Sequence, residues 1–185
     1  MAEYYLISQL PSLDGISENA PLPITEERFT ELCNRFLGKR TQEAMNKLTL
    51  SPPKSSESSG SVLIDAWNES ERNFRFALGK VRAEKMKKPF DIENRIFPVE
   101  YIKVASTATE NENPMEAEKY LNSYRLEILE ALRPMDSFSE DYIFYYGLKL
   151  KLLLRIRQFD TKSGEKAYKN IYDSILNGDR LEAKQ

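Results

Sequence analysis

The sequence of 185 residues contains no histidine. The side chain that most often serves as a general base, activates a serine nucleophile or binds a metal is therefore absent. Carboxylates do not replace it, because Glu116 and Glu118 stand two positions apart and diverge on a helix. Glu127 and Glu130 fit a solvated helix face. We therefore predict a protein that is not an enzyme and that has no metal or cofactor site.

Cysteine and glycine are also scarce. The single cysteine, Cys33, excludes an internal disulfide and fits the apolar side of a helix together with Phe29, Leu32 and Phe36. None of the seven glycines belongs to a G-x-x-x-x-G-K or G-x-G-x-x-G motif that would bind phosphate. Neither a disulfide-stabilised fold nor a nucleotide-binding loop is therefore expected.

Long uncharged apolar runs are missing as well. The most apolar segment is EDYIFYYGLKLKLLLRIRQF (140–159), and four basic residues interrupt its second half: Lys149, Lys151, Arg155 and Arg157. A membrane-spanning helix needs about 20 mostly apolar residues, and each central Lys or Arg costs roughly 2.5–3.5 kcal/mol on insertion. The start, MAEYYLISQLPSL, lacks a basic leader, and Pro11 interrupts its apolar stretch. We expect a cytoplasmic protein with 140–159 as the central core helix and its basic side chains at the rim.

Helical periodicity dominates the rest of the chain. Capping residues, proline positions and apolar spacings of three and four predict helices joined by short loops. The predicted helices cover residues 25–37, 41–48, 61–88, 99–105, 113–132, 139–159 and the segment after Gly164. Tyr4 to Leu10 could be extended, and SPPKSSESSG (51–60) fits a flexible exposed loop. We predict an all-α fold, a bundle of five to seven helices that forms a single domain over residues 1–185.

One side of the predicted helix at 61–88 has the composition of a contact site. Arg72, Arg75, Gly79, Lys80 and Arg82 cluster opposite its apolar stripe on a helical wheel of about 100° per residue. Phe76 lies among them, and an aromatic side chain surrounded by arginines is typical of protein–protein hot spots. The candidate partner contacts are Arg72, Arg75, Phe76 and Arg82. Coverage of Phe76 by another helix of the bundle would explain the same pattern.

The same segment also suggests nucleic acid as a partner. Residues 72–88 contain seven lysines and arginines against Glu71 and Glu84, a local excess of the kind that contacts phosphates. The whole chain has a formal net charge of −2, which gives no general attraction to polyanions. Nucleic-acid binding is therefore an alternative and not the expectation.

A family resemblance is carried by segments that follow one another along the chain. They are YYLISQLPSL (4–13), LGKVRAEKM (78–86), NPMEAEKYLNSYRLEILEAL (113–132) and YYGLKLKLLLRIRQFDTKSGEKAYKNIY (145–172). The N-P-M-E-A-E opening, the Y-x-L-K-L helix and the glycine before the last helix resemble a small family of uncharacterised bacterial proteins. Members of that family are encoded beside V-type (archaeal-type) ATP synthases. The resemblance covers most of the chain outside the loop of the 40s and 50s.

That family in turn resembles the C-type socket protein of the V-type ATPase, whose eukaryotic form is called d and which seats the rotor shaft on the membrane ring. LGKVRAEKMKKPFDIENRI (78–96) is similar to its leucine–arginine helix followed by D-x-x-N. The resemblance implies a non-catalytic connector related to the modules of that socket, with rotor-stalk and membrane-ring subunits as partners and a place at the inner membrane through that complex. The chain is much shorter than the socket protein, so one copy cannot contain its three modules. An unrelated helical adaptor or a nucleic-acid-binding module is the alternative.

Overall fold

The computed structural model describes residues 2–16, 20–54, 58–90, 97–158 and 161–182, with the side chains of 2, 161–163 and 176–182 outside the description. Eight α-helices and no β-strand lie in these ranges. The helices are α1 (Ala2–Gln9), α2 (Glu26–Phe36), α3 (Lys39–Asn46), α4 (Val62–Lys85), α5 (Val99–Glu110), α6 (Pro114–Ala131), α7 (Glu140–Gln158) and α8 (Thr161–Glu182). The all-α prediction is confirmed, and the count exceeds the predicted range by one helix.

The starts of the main helices follow from their capping residues. The backbone N–H of Arg28 donates to Thr25 Oγ1 at 3.2 Å, and that of Ile64 donates to Ser61 Oγ at the same distance. Asn113 caps α6, with Pro114 at its first position, where a missing N–H costs nothing. These starts are placed as the sequence predicts.

Several boundaries differ from the prediction, among them those of the helix predicted at 41–48, which is α3, and the end of the helix predicted at 61–88, which is α4. Tyr4 to Leu10 is not extended, because α1 buries Leu6 completely on one side and leaves Tyr4 exposed on the other. Helix α5 continues beyond residue 105 to Glu110, where the hydroxyl of Thr109 donates to a carbonyl one turn back at 2.7 Å. Helix α8 begins before Gly164. The D-x-x-N segment (91–94), residues 55–57 of the predicted loop and Phe159 lie outside the described residues.

Helix α7 is the centre of the bundle, as predicted. Its buried apolar residues are Ile143, Phe144, Tyr145, Tyr146, Leu148, Leu150 and Leu152. They belong to the larger of two apolar clusters, which gathers side chains from α1 to α4 around α7. The smaller cluster lies where α4, α5 and α6 meet, around Phe74 and Leu121. Among the described helices none is long and apolar enough to cross a membrane.

Lys149 does not reach the rim, so that part of the prediction is wrong. Its residue is 7% exposed, and its ammonium donates to Asp14, to Glu130 and, at 3.3 Å, to the hydroxyl of Tyr145. Burial alone would lower the pKa of Lys149, but these hydrogen bonds outweigh it and raise that pKa. Lys149 therefore stays charged and joins α7 to α6 and to the segment after α1.

Candidate interaction surface

Two of the four predicted contact residues fasten a loop of this chain to α4. Arg72 Nη2 donates to the carbonyl of Pro53 at 2.9 Å, and Arg75 Nη2 donates to Ser51 Oγ at 3.2 Å. Phe76, which follows Arg75 directly in the chain, is half-buried. These contacts hold the first part of the 51–60 loop, where Ser51, Pro53 and Lys54 are exposed. Contact of Arg72, Arg75 and Phe76 with a partner stays a prediction.

Arg75 also belongs to a buried ionic network that the sequence analysis did not anticipate. Its Nε lies 2.6 Å from Oε1 of Glu71, a residue only 1% exposed. Arg125 Nε donates to both Glu71 oxygens at 3.1 and 3.2 Å, and Arg125 Nη1 donates to Asn122 at 3.1 Å. Because both charges are paired and hydrogen-bonded, their burial is tolerated. A sequence signal existed, since Glu71 occupies a position of the apolar stripe of α4.

The network extends from α6 to α7 through Glu118. Arg125 Nη1 lies 3.6 Å from Glu118 Oε1, and Arg155 Nη2 donates to the same oxygen at 2.6 Å. Arg125 also lies over the ring of Phe74, with 5.4 Å from its Cζ to the ring centroid. The side chains thus join α4, α6 and α7 beside the smaller apolar cluster.

The fourth predicted residue, Arg82, is exposed and lies two turns beyond Arg75 on the same side of α4. It lies near the end of α4 together with Lys80, Met86 and Phe90, all of which are exposed. The ring of Phe90 covers Gly79 so closely that a methyl group there would lie 2.6 Å from Phe90 Cζ. We call Lys80, Arg82, Met86 and Phe90 the α4-end surface.

A left-handed turn brings Phe90 back onto α4. Lys87 has φ 53°, its N–H donates to the carbonyl of Glu84, and the N–H of Lys88 donates to the carbonyl of Ala83 at 2.9 Å. This pair of bonds is the Schellman motif, which usually has glycine at the left-handed position. The motif reverses the chain, so the segment leading to Phe90 runs back along the helix.

Basic side chains surround this surface. Lys80, Arg82, Lys85, Lys87 and Lys88 are exposed, and the ammonium of Lys85 donates to the carbonyl of Thr109 in α5. Cations are favoured at the C-terminal end of a helix because its carbonyls carry partial negative charge. Part of this charge therefore stabilises α4, and the rest is available to an acidic partner.

Helix α8 presents a second surface. Every residue from 164 to 175 is exposed, including four large apolar side chains on one side of the helix. We call these residues the α8 stripe: Tyr168, Ile171, Tyr172 and Ile175. The rings of Tyr168 and Tyr172 stack with their centroids 6.1 Å apart. The periodicity predicts this helix and its apolar face, but the described part of the chain does not cover that face.

A third surface lies at the opposite end of α7 from α8. Phe138, two residues before α7, stacks on Tyr4 of α1 with ring centroids 5.0 Å apart, and Tyr5 meets Tyr4 edge to face at 6.0 Å. These rings are about half exposed, and Met135, three residues before Phe138 in the chain, is fully exposed. We call Tyr4, Tyr5, Met135 and Phe138 the aromatic patch.

Burial raises the pKa values of several titratable groups in the core. Burial raises the pKa of Cys33 to about 12, and burial likewise raises the pKa of Tyr145 to about 12. The thiol and the phenol therefore stay protonated, while Lys149 stays charged.

Comparison with known proteins identifies a family that part of the chain matches. A model of the family described as "Protein of unknown function (DUF2764)" matches residues 85–179, from the last residue of α4 into the second half of α8. No curated protein and no solved structure matches the chain. Because the matched segment spans just over half of the 185 residues, the chain belongs to the DUF2764 family.

Proposed function

We propose that this chain is a non-catalytic helical interaction protein that connects or supports the rotor stalk of a V-type ATP synthase at the membrane ring. Its partners would be rotor-stalk and membrane-ring subunits, and it would be cytoplasmic and peripheral to the inner membrane through them. The choice of partner rests on the resemblance of residues 78–96, 113–132 and 145–172 to proteins associated with that machine. The interaction role rests on the α4-end surface.

The composition of the α4-end surface is the observation that carries the proposal. Met86 is 59% exposed and Phe90 42% exposed, and Arg82 lies on the same last turns of α4. Aromatic residues, methionine and arginine are the types enriched in the cores of protein interfaces, while single apolar residues scattered on a surface need no explanation. Arg82 and Met86 are four residues apart along one side of the chain, and Phe90 lies on Gly79, one turn before Arg82.

The site is also rigidly presented. Phe90 is seated on Gly79, and the Schellman motif at residues 86–88 fixes the path of the chain between them. Helix α4 itself is held by the Glu71–Arg125 pair and by both apolar clusters. A surface that is already ordered loses little conformational entropy on binding. A connector that transmits force between two partners needs this rigidity and no catalytic group.

The test is purification of the tagged full-length protein, at native level, from mild-detergent extracts of its source cell. We expect V-type rotor-stalk and ring subunits to co-purify with the wild type. Arg82→Glu and Phe90→Ala should each reduce their recovery at least about tenfold, as expected for hot-spot residues. Arg40→Glu is the matched control, because Arg40 is exposed and lies beside Gly60, before the start of α4.

Three results would count against the proposal. Absence of ATPase subunits, with the complex otherwise intact in the extract, would remove the ATPase as partner. Equal recovery with wild type and Phe90→Ala would remove the α4-end surface. A loss of recovery in Arg40→Glu as large as in Arg82→Glu would indicate a general effect of charge.

A polyanion-binding role is the second candidate, favoured by the five exposed basic residues at the end of α4. Such binding depends on contacts between basic side chains and phosphate groups. Its affinity therefore falls steeply as the salt concentration rises, and it does not require the uncharged ring of Phe90. Retention on a polyanion column that falls with salt and with Arg82→Glu, but is unchanged in Phe90→Ala, would favour this role. Sensitivity to Phe90→Ala at constant charge would favour a protein partner.

A further inference from the structure

We propose that two copies of this chain form a reciprocal dimer, in which the α8 stripe of each copy packs on the aromatic patch of the other. This goes beyond the proposed function and uses different residues from the α4-end surface. The contact chemistry is apolar on both sides, with tyrosine rings in each surface.

The α8 stripe has no cover within the described chain. Its four side chains are between 51% and 68% exposed, although their spacing of three and four residues is that of a buried helix face. Taking about 200 Å² for a large side chain, the stripe presents on the order of 450 Å². The largest apolar patch of a typical monomer is roughly 300–600 Å² and is often functional.

The aromatic patch is another uncovered apolar surface of similar size. Tyr4, Tyr5 and Phe138 are between 51% and 58% exposed, and Met135 is fully exposed. The same estimate gives on the order of 500 Å². Tyr4 and Phe138 already stack on each other, so the patch is ordered before anything binds. Rigid aromatic side chains with a polar tip suit such a contact because little side-chain entropy is lost.

The surface area buried at the interface distinguishes two possible arrangements of the dimer. Direct pairing of one α8 stripe with the other would bury roughly 900 Å² in all and would leave both aromatic patches in water. Specific, stable interfaces bury about 1,200–2,000 Å². The reciprocal arrangement makes two contacts of up to roughly 950 Å² each, about 1,900 Å² in total, and covers all four surfaces. A closed two-fold pair also leaves no free site for further growth.

Helix lengths argue against the same contact within one chain. Helix α7 has 19 residues and is therefore about 28 Å long, with Phe138 just before its start and α8 beginning shortly after its end. If α8 folded back along α7, the last residue of the stripe, Ile175, would return only about 21 Å, since it lies fourteen residues into α8. The stripe would stop about 7 Å short of the start of α7 and so would not reach the patch.

The charges beside the stripe predict a weak salt dependence. In the segment 164–175 the charged residues are Glu165, Lys166, Lys169 and Asp173, two of each sign. Near the patch, Asp136 accepts a hydrogen bond from the N–H of Phe138. With the charge on α8 balanced, burial of apolar area dominates. Salt should change the dimer dissociation constant by less than about threefold between roughly 50 and 500 mM.

The test uses the full-length chain in sedimentation-velocity ultracentrifugation over a range of concentrations. We expect a monomer–dimer equilibrium for the wild type. Ile171→Asp in the stripe and Phe138→Ser in the patch should each raise the dissociation constant at least about tenfold. Val99→Asp is the matched control, an exposed β-branched residue outside both surfaces. Both test positions are at least half exposed, and unchanged Trp67 fluorescence checks that each variant is folded.

Mixing the two weakened variants distinguishes the reciprocal dimer from other arrangements. The intact stripe of Phe138→Ser can pack on the intact patch of Ile171→Asp, so a mixed dimer should form more tightly than either variant alone. A monomeric wild type at all concentrations would overturn the proposal. So would a dimer that Phe138→Ser leaves unchanged, or a mixture that behaves as the sum of its parts. None of these results bears on Arg82 or Phe90, so the ATPase proposal is judged separately.

Discussion

At the scale of single residues, the buried Glu71–Arg125 pair offers a direct prediction. Arg125→Met fills a similar volume but leaves Glu71, 1% exposed, with Arg75 as its remaining basic partner among the described contacts. Removal of one member of a buried pair typically costs about 3–5 kcal/mol, and we expect about 3 kcal/mol here because Arg75 remains. Urea unfolding followed by Trp67 fluorescence measures this loss.

Arg28→Met is the control for that substitution. Arg28 pairs with Glu31 at 3.1 Å, and both side chains are more than half exposed. Such a surface pair contributes roughly 0–1 kcal/mol. Equal destabilisation by the two substitutions would mean that the Glu71–Arg125 pair is not the source of the effect.

Asp14 predicts a dependence of stability on pH. Its pKa is lowered below the ordinary value of 3.8, first by the hydrogen bond from Lys149, while burial opposes the shift. The ionised carboxylate therefore stabilises the folded chain above pH about 4, and this contribution is lost as the pH falls through the lowered pKa. The difference in unfolding free energy between wild type and Asp14→Asn should shrink from pH of about 7 to pH of about 3.

Urea titrations at a series of pH values measure that difference. Asp173→Asn, on the exposed helix α8, serves as the control and should leave the stability close to that of wild type throughout. A difference between wild type and Asp14→Asn that is the same in acid as at neutral pH would contradict the assigned role of the Lys149 contact.

Single residues are also where prediction from sequence was weakest. Lys149 and Glu71 are charged, and the usual expectation is that such residues face water or extend a charged tip to the rim. Their burial depends on Asp14, 135 positions from Lys149, and on Arg125, 54 positions from Glu71. Helical periodicity shows which side chains share a face, but it does not show which distant charge meets that face.

At the scale of elements, the end of α4 contains a position suited to glycine. Lys87 adopts φ 53°, a left-handed conformation that costs a residue with a side chain roughly 1–2 kcal/mol. Glycine avoids this cost, but it gives the unfolded chain more conformational entropy, which offsets part of the gain in stability. We expect Lys87→Gly to stabilise the chain by about 0.5 kcal/mol in urea unfolding. Lys88→Gly, one position later, should not stabilise it; if both behave alike, the left-handed strain at Lys87 is not the cause.

A substitution at Gly79 should affect the stability of α4 and the arrangement of the α4-end surface in opposite directions. Alanine at this position favours the helix by roughly 0.5–1 kcal/mol, but its methyl group would lie 2.6 Å from Phe90 Cζ and must displace the ring. Gly79→Ala should therefore keep or raise the urea midpoint while it weakens partner recovery to the level of Phe90→Ala. Unchanged recovery would show that the position of the ring does not matter for binding.

The helices themselves were largely predictable, since their signals are local. Thr25, Ser61 and Asn113 cap the predicted starts, and α7 has the wide apolar girdle of a central helix. The wrong predictions of secondary structure lie where the local sequence signals are weakest. The threonines near the end of α5 are typical of a loop, but they continue the helix by donating to carbonyls one turn back. Helix α1 is only eight residues long, too short for periodicity to separate helix from strand.

At the scale of the whole molecule, the larger apolar cluster should unfold as one unit. Cys33 on α2 and Trp67 on α4 are each 1% exposed and belong to this cluster. Burial raises the pKa of the thiol to about 12, so it reacts with a disulfide reagent only when the cluster opens. The urea midpoints from Cys33 labelling and Trp67 fluorescence should coincide. Labelling at clearly lower urea would reveal independent opening of α2.

The global arrangement was predictable as a class but not in detail. Composition and periodicity predict an all-α bundle, and that is confirmed. The contact site was predicted at Arg72, Arg75, Phe76 and Arg82, but the first two are engaged with the 51–53 segment. A helical wheel does not include loops, which cover part of a helix surface after it has formed. The surface around Arg82 also depends on Phe90, which reaches α4 through a turn with no glycine signal.

The buried network has a consequence for spacing across the molecule. Helices held only by apolar contacts can slip by one turn, about 5.4 Å, and still bury similar area. Here such a slip of α4 along α6 would separate Glu71 from Arg125 and leave each buried charge with only the partners on its own helix, so one register is favoured. Helices α4 and α7 begin side by side, where Ser61 Oγ donates to Asp141 at 2.6 Å, and α4 then extends about 36 Å to its far end. The aromatic patch beside the start of α7 and the α4-end surface are thereby kept a fixed distance apart. A dimer built on the patch would therefore carry two α4-end surfaces at one constant separation. Such a dimer could bind a target with repeated sites through both surfaces at once, with bivalent avidity.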